Sequence, residues 1–195
     1  MTPKAAAVPV HYQLKIELRD IDPIVWRRVL VPSEFTLFDL HHVIQIVMGW
    51  ENCHLHEFSI KRKRYTLPEE GDYGDAADES ETRLRDVVAP RSKILYQYDF
   101  GDCWNHVILV EKAIEGAELL EPTCVEGARA CPPEDSGGSW GYADKLRALS
   151  DPNDEEHEEG RGWLGANFDP ESFDLDAVNK QLQKTFRPKP RKKKR

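Results

Sequence analysis

VHYQLKIELRD, residues 10–20, sets the reading of the whole chain: Val10, Tyr12, Leu14, Ile16 and Leu18 alternate with polar neighbours. Apolar groups at every second position fall on one face of an extended backbone, so this stretch is a half-buried strand. Asp22-Pro23 supplies a turn, and Ile24 to Val31 reads as a second strand closed by Pro32. Thr36 with Asp39 three residues later is a helix-start pattern related to the capping box. Leu37, Leu40, Ile44 and Val47 then recur at helical spacing until Gly49 ends the helix.

Further along, residues 55–67 read as one strand carrying the basic run KRKR. Residues 69–81 hold seven acidic groups and two glycines, the composition of a surface loop. One or two helical turns are expected over Thr82 to Val88. Lys93 to Phe100 and Trp104 to Ala113 form a hairpin about a tight turn at Gly101-Asp102. From Glu115 to Gly138 no periodicity is visible, so a long loop is expected, functional or pinned by specific contacts. Ser139 is placed to cap a helix with Tyr142, Leu146 and Leu149 on one face. Residues 151–160 add six acidic groups, and a last helix from Asp169-Pro170 or Asp174 buries Leu175, Val178, Leu182 and Phe186. Strands first, a hairpin later and helices last predict an α+β fold: a mixed, mainly antiparallel sheet with packed helices, its N-terminal half β-grasp-like. The expected organisation is a flexible N-terminus over residues 1–9, one domain over 10–186 and a basic disordered tail over 187–195.

The 195 residues are enough for a real core, and five Trp with seven Phe argue against disorder despite 32% charged content. No apolar run approaches the roughly 20 residues that span a bilayer, and MTPKAAAVPV is too short in apolar residues for a secretory signal. Four cysteines, Cys53, Cys103, Cys124 and Cys131, are few and unevenly spaced, with no C-x-x-C pair. A disulfide framework and a zinc ribbon are therefore excluded, and a cytoplasmic setting with reduced thiols is expected. The net charge of −8 conceals an asymmetry, because the last nine residues carry seven of the 27 basic groups. Without them, 20 basic groups face 35 acidic ones, a balance of −15. Such a body repels a phosphate backbone while Arg187, Lys189, Arg191, Lys192, Lys193, Lys194 and Arg195 attract one, so the tail is either a solvated terminus or a nucleic-acid contact.

Two constellations carry chemistry. In HLHEF, residues 54–58, His54 and His56 stand two apart, a spacing that turns both imidazoles to one face of a strand. The hairpin adds His106 beside Trp104, with Asp99 and Asp102 at its turn. His54, His56, His106 and Asp102 together suit a divalent metal such as zinc with an open position for water. The plainer alternative is that these histidines fix polar contacts at strand ends. The second constellation is CVEGARACPPEDSGG, residues 124–138. Cys124 and Cys131 are thiolate ligands or small buried hydrophobes. Glu134 and Asp135 are the candidate catalytic carboxylates at a pocket mouth, and Gly137-Gly138 frees the backbone for a close approach. Asp99-Phe100-Gly101 spells a kinase triplet, but no phosphate-binding glycine loop or catalytic H-R-D loop accompanies it.

HLHEF at 54–58, YQYDFGDCWNH at 96–106, residues 124–138, Gly141-Tyr142 and FDPESFD at 168–174 together resemble the plasmid pRiA ORF-three-like family. YQLKIELRDIDPIVWRRVLVP near the N-terminus is similar to it as well, so the resemblance spans about residues 10–184. It implies a bacterial or archaeal α+β domain, and relatives are sometimes labelled resolvase-like passenger proteins of insertion elements. A serine recombinase needs a nucleophilic Ser among arginines, whereas Ser33, the first serine here, sits in a Pro-flanked turn. The family supplies no agreed catalytic set, so the site rests on the residues themselves. The leading expectation is a binding or accessory protein with a polar, metal-binding site. The alternatives are a metal-dependent hydrolase and a DNA-associated protein of mobile elements held by its basic tail.

Overall fold

The computed structural model describes residues 10–68, 74–116, 121–165 and 167–187. Its centre is the strand pair read first from sequence. Strand β1 (Val10–Leu18) runs antiparallel to β2 (Trp26–Pro32) on one side and to the long strand β7 (Trp104–Glu115) on the other. Burial alternates along β1, with Leu14, Ile16 and Leu18 fully inaccessible. The eight strands form one sheet in the order β5-β4-β3-β6-β7-β1-β2-β8, comprising β3 (His56–Ile60), β4 (Lys63–Thr66), β5 (Ala77–Asp78), β6 (Lys93–Tyr98) and β8 (Thr123–Ala128). All pairs are antiparallel except β4 with β5, the mixed sheet expected.

Helix α1 (Leu37–Met48) covers the face on which the apolar side chains alternate. Its Thr36 cap and Asp39 exchange both capping-box hydrogen bonds, and Gly49 ends it at φ 86°. That left-handed backbone strains any residue carrying a Cβ, which is why glycine stands there. The helix meets the sheet through polar as well as apolar groups. Its last turn receives the Nε–H of Arg27 at the Val47 carbonyl, 2.8 Å away. In its middle, Gln45 Nε2 donates to the Tyr96 hydroxyl over 3.1 Å. Helix α5 (Leu175–Phe186), capped by Asp174, buries Leu182 and covers the exposed edge of β8. Asn179 on α5 takes both peptide groups of Cys124, accepting from its N–H and donating to its carbonyl, 2.8 Å each. A side-chain amide thus occupies part of a strand edge that would otherwise stay unpaired.

Several elements differ from expectation. Residues 55–67 are two strands, because Lys61 and Arg62 both adopt positive φ and make a two-residue hairpin turn inside the KRKR run. The aperiodic stretch 115–138 contains β8, whose small and polar residues bury one edge without an apolar alternation. Gly137, not Ser139, precedes helix α3 (Gly138–Ser150), and no side chain caps it. The acidic run over 151–160 leads into a further helix, α4 (His157–Leu164). The helical turn expected near residue 84 is α2 (Leu84–Val87). The acidic loop over 69–81 is not wholly superficial: Glu79 is fully buried, and residues 69–73 lie outside the described ones.

Candidate metal centre

Three separate pieces of chain converge at one end of strands β3 and β6: the segment before β3, the β6–β7 turn, and the loop entering α3. His54 is in the first, Asp99 in the second, Glu134 and Asp135 in the third. His54 Nε2 lies 3.6 Å from Asp99 Oδ2, 3.8 Å from Glu134 Oε2 and 3.2 Å from Asp135 Oδ1. Despite these distances His54 Nε2 and Glu134 Oε2 are both buried atoms that make no hydrogen bond. Cys53 belongs to the same neighbourhood, since its thiol, His54 and Glu134 offer donor atoms within 4.8 Å of one another, as do His54, Asp99 and Asp135.

Glu134 and Asp99 are each held by one carboxylate oxygen and turn the other inward. Glu134 Oε1 accepts from the Tyr98 hydroxyl at 3.0 Å and from the Glu51 backbone N–H at 2.8 Å, leaving Oε2 toward His54. Asp99 Oδ1 accepts from the backbone N–H groups of Gly101 and Asp102, leaving Oδ2 toward His54. Tyr98 in turn accepts from the backbone N–H groups of Cys53 and His54. Burial first, then the bond to Glu134, pushes the Tyr98 hydroxyl well above its ordinary pKa, so it remains a donor. Burial likewise raises the Cys53 thiol, with the charges of Glu134 and Asp135 adding to the effect. Asp99 and Asp135 sit at φ 54° and 55°, a costly conformation that tight turns impose on both inward-facing carboxylates.

Gly137 and Gly138 carry the third segment to its place. The Gly137 N–H donates to Asp102 Oδ2 at 3.0 Å, and a Cβ on Gly138 would lie 2.6 Å from the Asp102 carbonyl oxygen. The double glycine therefore lets the loop lie against the hairpin turn, which is the close approach read from sequence. Trp50 adds a second tie, donating from Nε1 to the Pro132 carbonyl at 2.9 Å while stacking on Tyr98.

The structure does not bring the other proposed ligands to this point. His54 precedes β3 rather than lying in it, so the alternation argument for His54 and His56 does not apply. His56 instead pairs through Nε2 with both oxygens of Glu79, at 2.9 and 3.0 Å. His106 is 1% exposed inside the core, its Nδ1 3.1 Å from the Trp104 carbonyl, and burial lowers its pKa to about 4. Trp104, 1% exposed, has its indole in the core beneath Trp50. Asp102 anchors Gly137. Cys124 and Cys131 have their pKa values raised by burial and pack into the core cluster rather than the His54 group. Of the basic tail, Arg187 ends α5, while Lys189, Arg191, Lys192, Lys193, Lys194 and Arg195 lie outside the described residues. No sequence pattern marks Cys53, Tyr98 or Glu79 as part of these groups: Glu79 is one acid in an acidic run, and no spacing makes it the partner of His56.

Comparison with known proteins places the chain. A curated relative, "Uncharacterized protein y4hQ" of Sinorhizobium fredii, is 38% identical over 176 residues, covering 87% of this chain and 89% of that one. A solved structure described as a protein of unknown function, MM3350 from Methanosarcina mazei Go1, superposes with a TM-score of 0.79. It is 41% identical, and the match covers 87% of this chain and 97% of that one. The sequence model of one family matches residues 10–177, through every strand and into the last helix, and the chain belongs to that family, the plasmid pRiA4b ORF-3-like proteins.

Proposed function

We propose that this chain is a cation-binding domain whose His54, Asp99, Glu134 and Asp135 hold one divalent metal. The observation that carries the reading is the convergence of carboxylate oxygens on a buried imidazole nitrogen at 3.2–3.8 Å without hydrogen-bond geometry. Ligand atoms about 2.0–2.1 Å from a tetrahedral zinc stand about 3.3 Å from one another, the spacing of groups around a shared ion rather than of bonded pairs. Asp99 and Asp135, whose carboxylate oxygens lie within 4.8 Å of each other, repel, and a dication offsets that repulsion. One imidazole with oxygen donors suits zinc, manganese or ferrous iron, and the Cys53 thiol nearby favours the softer of these. The Tyr98 and backbone donors behind Glu134 and Asp99 would orient the ligands from the outer shell.

Asp135 supports a second reading. Its side chain is 62% exposed where those of Asp99 and Glu134 are 10% and 15% exposed, so the site opens to solvent on the Asp135 side. With the metal held by the three less exposed groups, Asp135 is placed as a general base on a metal-bound water, the arrangement of a hydrolase.

The test is elemental analysis of untagged protein purified without chelator. The reading expects about one equivalent of transition metal, lost in His54→Ala and Glu134→Gln and retained in His106→Leu. Metal-free wild-type protein that also takes up none on titration with zinc, manganese or ferrous iron would refute it.

A further inference from the structure

Lys61, Arg62 and Arg91 all sit at positive φ, 51°, 68° and 72°. Glycine or asparagine fills such turns at lower cost. All three side chains are exposed, and no ion pair among the described residues involves them. The fold therefore gains no ion pair from a charge at these positions. Strain kept without such a partner inside the chain points to one outside it. Lys93, exposed and outside every ion pair as well, joins the group: β3 runs antiparallel to β6 with Ser59 opposite Leu95, which brings Lys93 to the level of Lys61.

A second basic row is on α5. Lys180, Lys184 and Arg187 recur at helical spacing and are exposed. They lie along a groove of about 560 Å³ that Gln183 and one acid, Glu121, also line. Phe186 stacks on Phe35 at 5.3 Å, and the Phe35 N–H donates to the Pro32 carbonyl at 3.1 Å. The last turn of α5 is thus held where β2 finishes. Strand register makes this the sheet end of Lys61 and Lys93, opposite the end of His54 and Asp99. Residues 177–195 hold nine of the 27 basic groups and no acidic one, leaving 18 basic against 35 acidic groups elsewhere. Of the acids at the basic end, Glu34 and Asp86 are ion-paired with Arg83 and Arg85, and Asp75, Glu115 and Glu121 remain.

We propose that this end of the sheet docks the phosphate backbone of double-stranded nucleic acid. A duplex carries about one negative charge per 1.7 Å of its axis, and several separate cations on one surface match such a row. The exposed aromatic side chains Phe100, Trp140 and Trp163 lie outside these segments, so no stacking platform for a single strand accompanies the charges. Residues 61–63, 91–93 and 180–187 also hold no exposed large apolar side chain, and charge without an apolar insert anchors weakly to a bilayer. The contact reads no base sequence and is confined to this end, because the acidic remainder of the chain is repelled. It is independent of the cation site.

The test is fluorescence anisotropy of a labelled mixed-sequence DNA duplex with the full chain, with chelator and with zinc, from about 50 to 200 mM salt. Binding is expected in both conditions and should fall steeply with salt, each contacted phosphate adding about 0.9 to the log–log slope. Lys61→Asn with Arg62→Gly relieves the strained turn and so keeps the fold. Lys180→Gln with Lys184→Gln changes exposed side chains alone. Each pair should weaken duplex binding about ten-fold and lower the slope by about 2. No binding at about 50 mM salt, or binding indifferent to salt, would overturn the proposal. So would affinity unmoved by either pair, whatever the removal of residues 188–195 does. Binding seen only with zinc would overturn it by tying the contact to the cation site. Phosphatidylserine vesicles, polyglutamate or single-stranded DNA bound in preference to the duplex would overturn it by assigning the patch to a membrane, an acidic protein or a single strand.

Discussion

At Arg27 a guanidinium 2% exposed is held without a carboxylate, by the carbonyls of Val47, Trp26, Ala128 and Arg129 and by the Phe173 ring 4.0 Å away. Its position at the last turn of α1 adds the favourable end of a helix dipole. Burial lowers its pKa, yet it stays charged because four carbonyls replace its water. Arg27→Met leaves those carbonyls unpartnered, and a loss of about 3–5 kcal/mol is expected in urea denaturation; a loss under about 1 kcal/mol would contradict the account. Two of the three buried histidines, His41 and His106, predict a pH dependence. Burial and the neighbouring His56 lower His41 to about 3, and burial lowers His106 to about 4. Both pKa values fall below that of an unfolded histidine, so below about pH 6.5 the unfolded chain binds protons that the folded chain refuses. Stability is therefore intact above that pH and drains away as pH falls toward the folded values. Each group contributes a slope of about 1.4 kcal/mol per pH unit inside the window. His106→Leu removes one of them, and a denaturation series from pH 7 to 4.5 should show the variant losing stability less steeply than wild type. An unchanged slope would mean that His106 titrates normally.

Among the elements, turns decide what the strands can present. The two-residue turn at Lys61-Arg62 has φ values of 51° and 68°, which neither residue favours. The double change Lys61→Asn with Arg62→Gly should raise stability by about 0.5–1 kcal/mol, read as a higher melting temperature. The Gly138 contact with Asp102 positions Glu134 and Asp135, so Gly138→Ala should weaken zinc binding at least about ten-fold with most of the fold's stability kept. Unchanged affinity would show that the loop reaches the site by another route. These same elements show what could be read from sequence. Strands β1, β2, β6 and β7 and helices α1 and α5 are legible because each buries one face with large apolar residues at its own period. Strand β8 hides because TCVEGA buries itself through an edge pairing and an Asn179 amide, which leave no periodic trace. The candidate site is half legible in the sequence. His54, Asp99, Glu134 and Asp135 were all singled out by residue type, but their grouping depends on three turns meeting in space. The alternation that groups His56 with His54 requires both in one strand, whereas β3 begins at His56, and His106 on β7 is buried in the core.

Across the whole molecule, the sheet has a covered face carrying the core and an opposite face with ion pairs such as Arg28 with Glu111, 2.9 Å apart. The candidate cation would join segments about 45 and 35 residues apart in sequence, before β3, after β6 and before α3. A ligand that binds only the folded chain stabilises it by RT ln(1 + [L]/Kd), about 2.7 kcal/mol at a hundred-fold excess over Kd. Zinc should therefore raise the melting temperature of wild type and leave that of His54→Ala unmoved. Equal shifts in both would assign the effect to nonspecific surface binding by a chain of net charge −8. The most direct measurement is anomalous scattering at the metal edge from crystals of the zinc-loaded protein. The account predicts one peak about 2.0–2.2 Å from His54 Nε2, enclosed by Asp99, Glu134 and Asp135. Zinc-loaded crystals with no peak there, or with the peak on His56 and Glu79 instead, would contradict it.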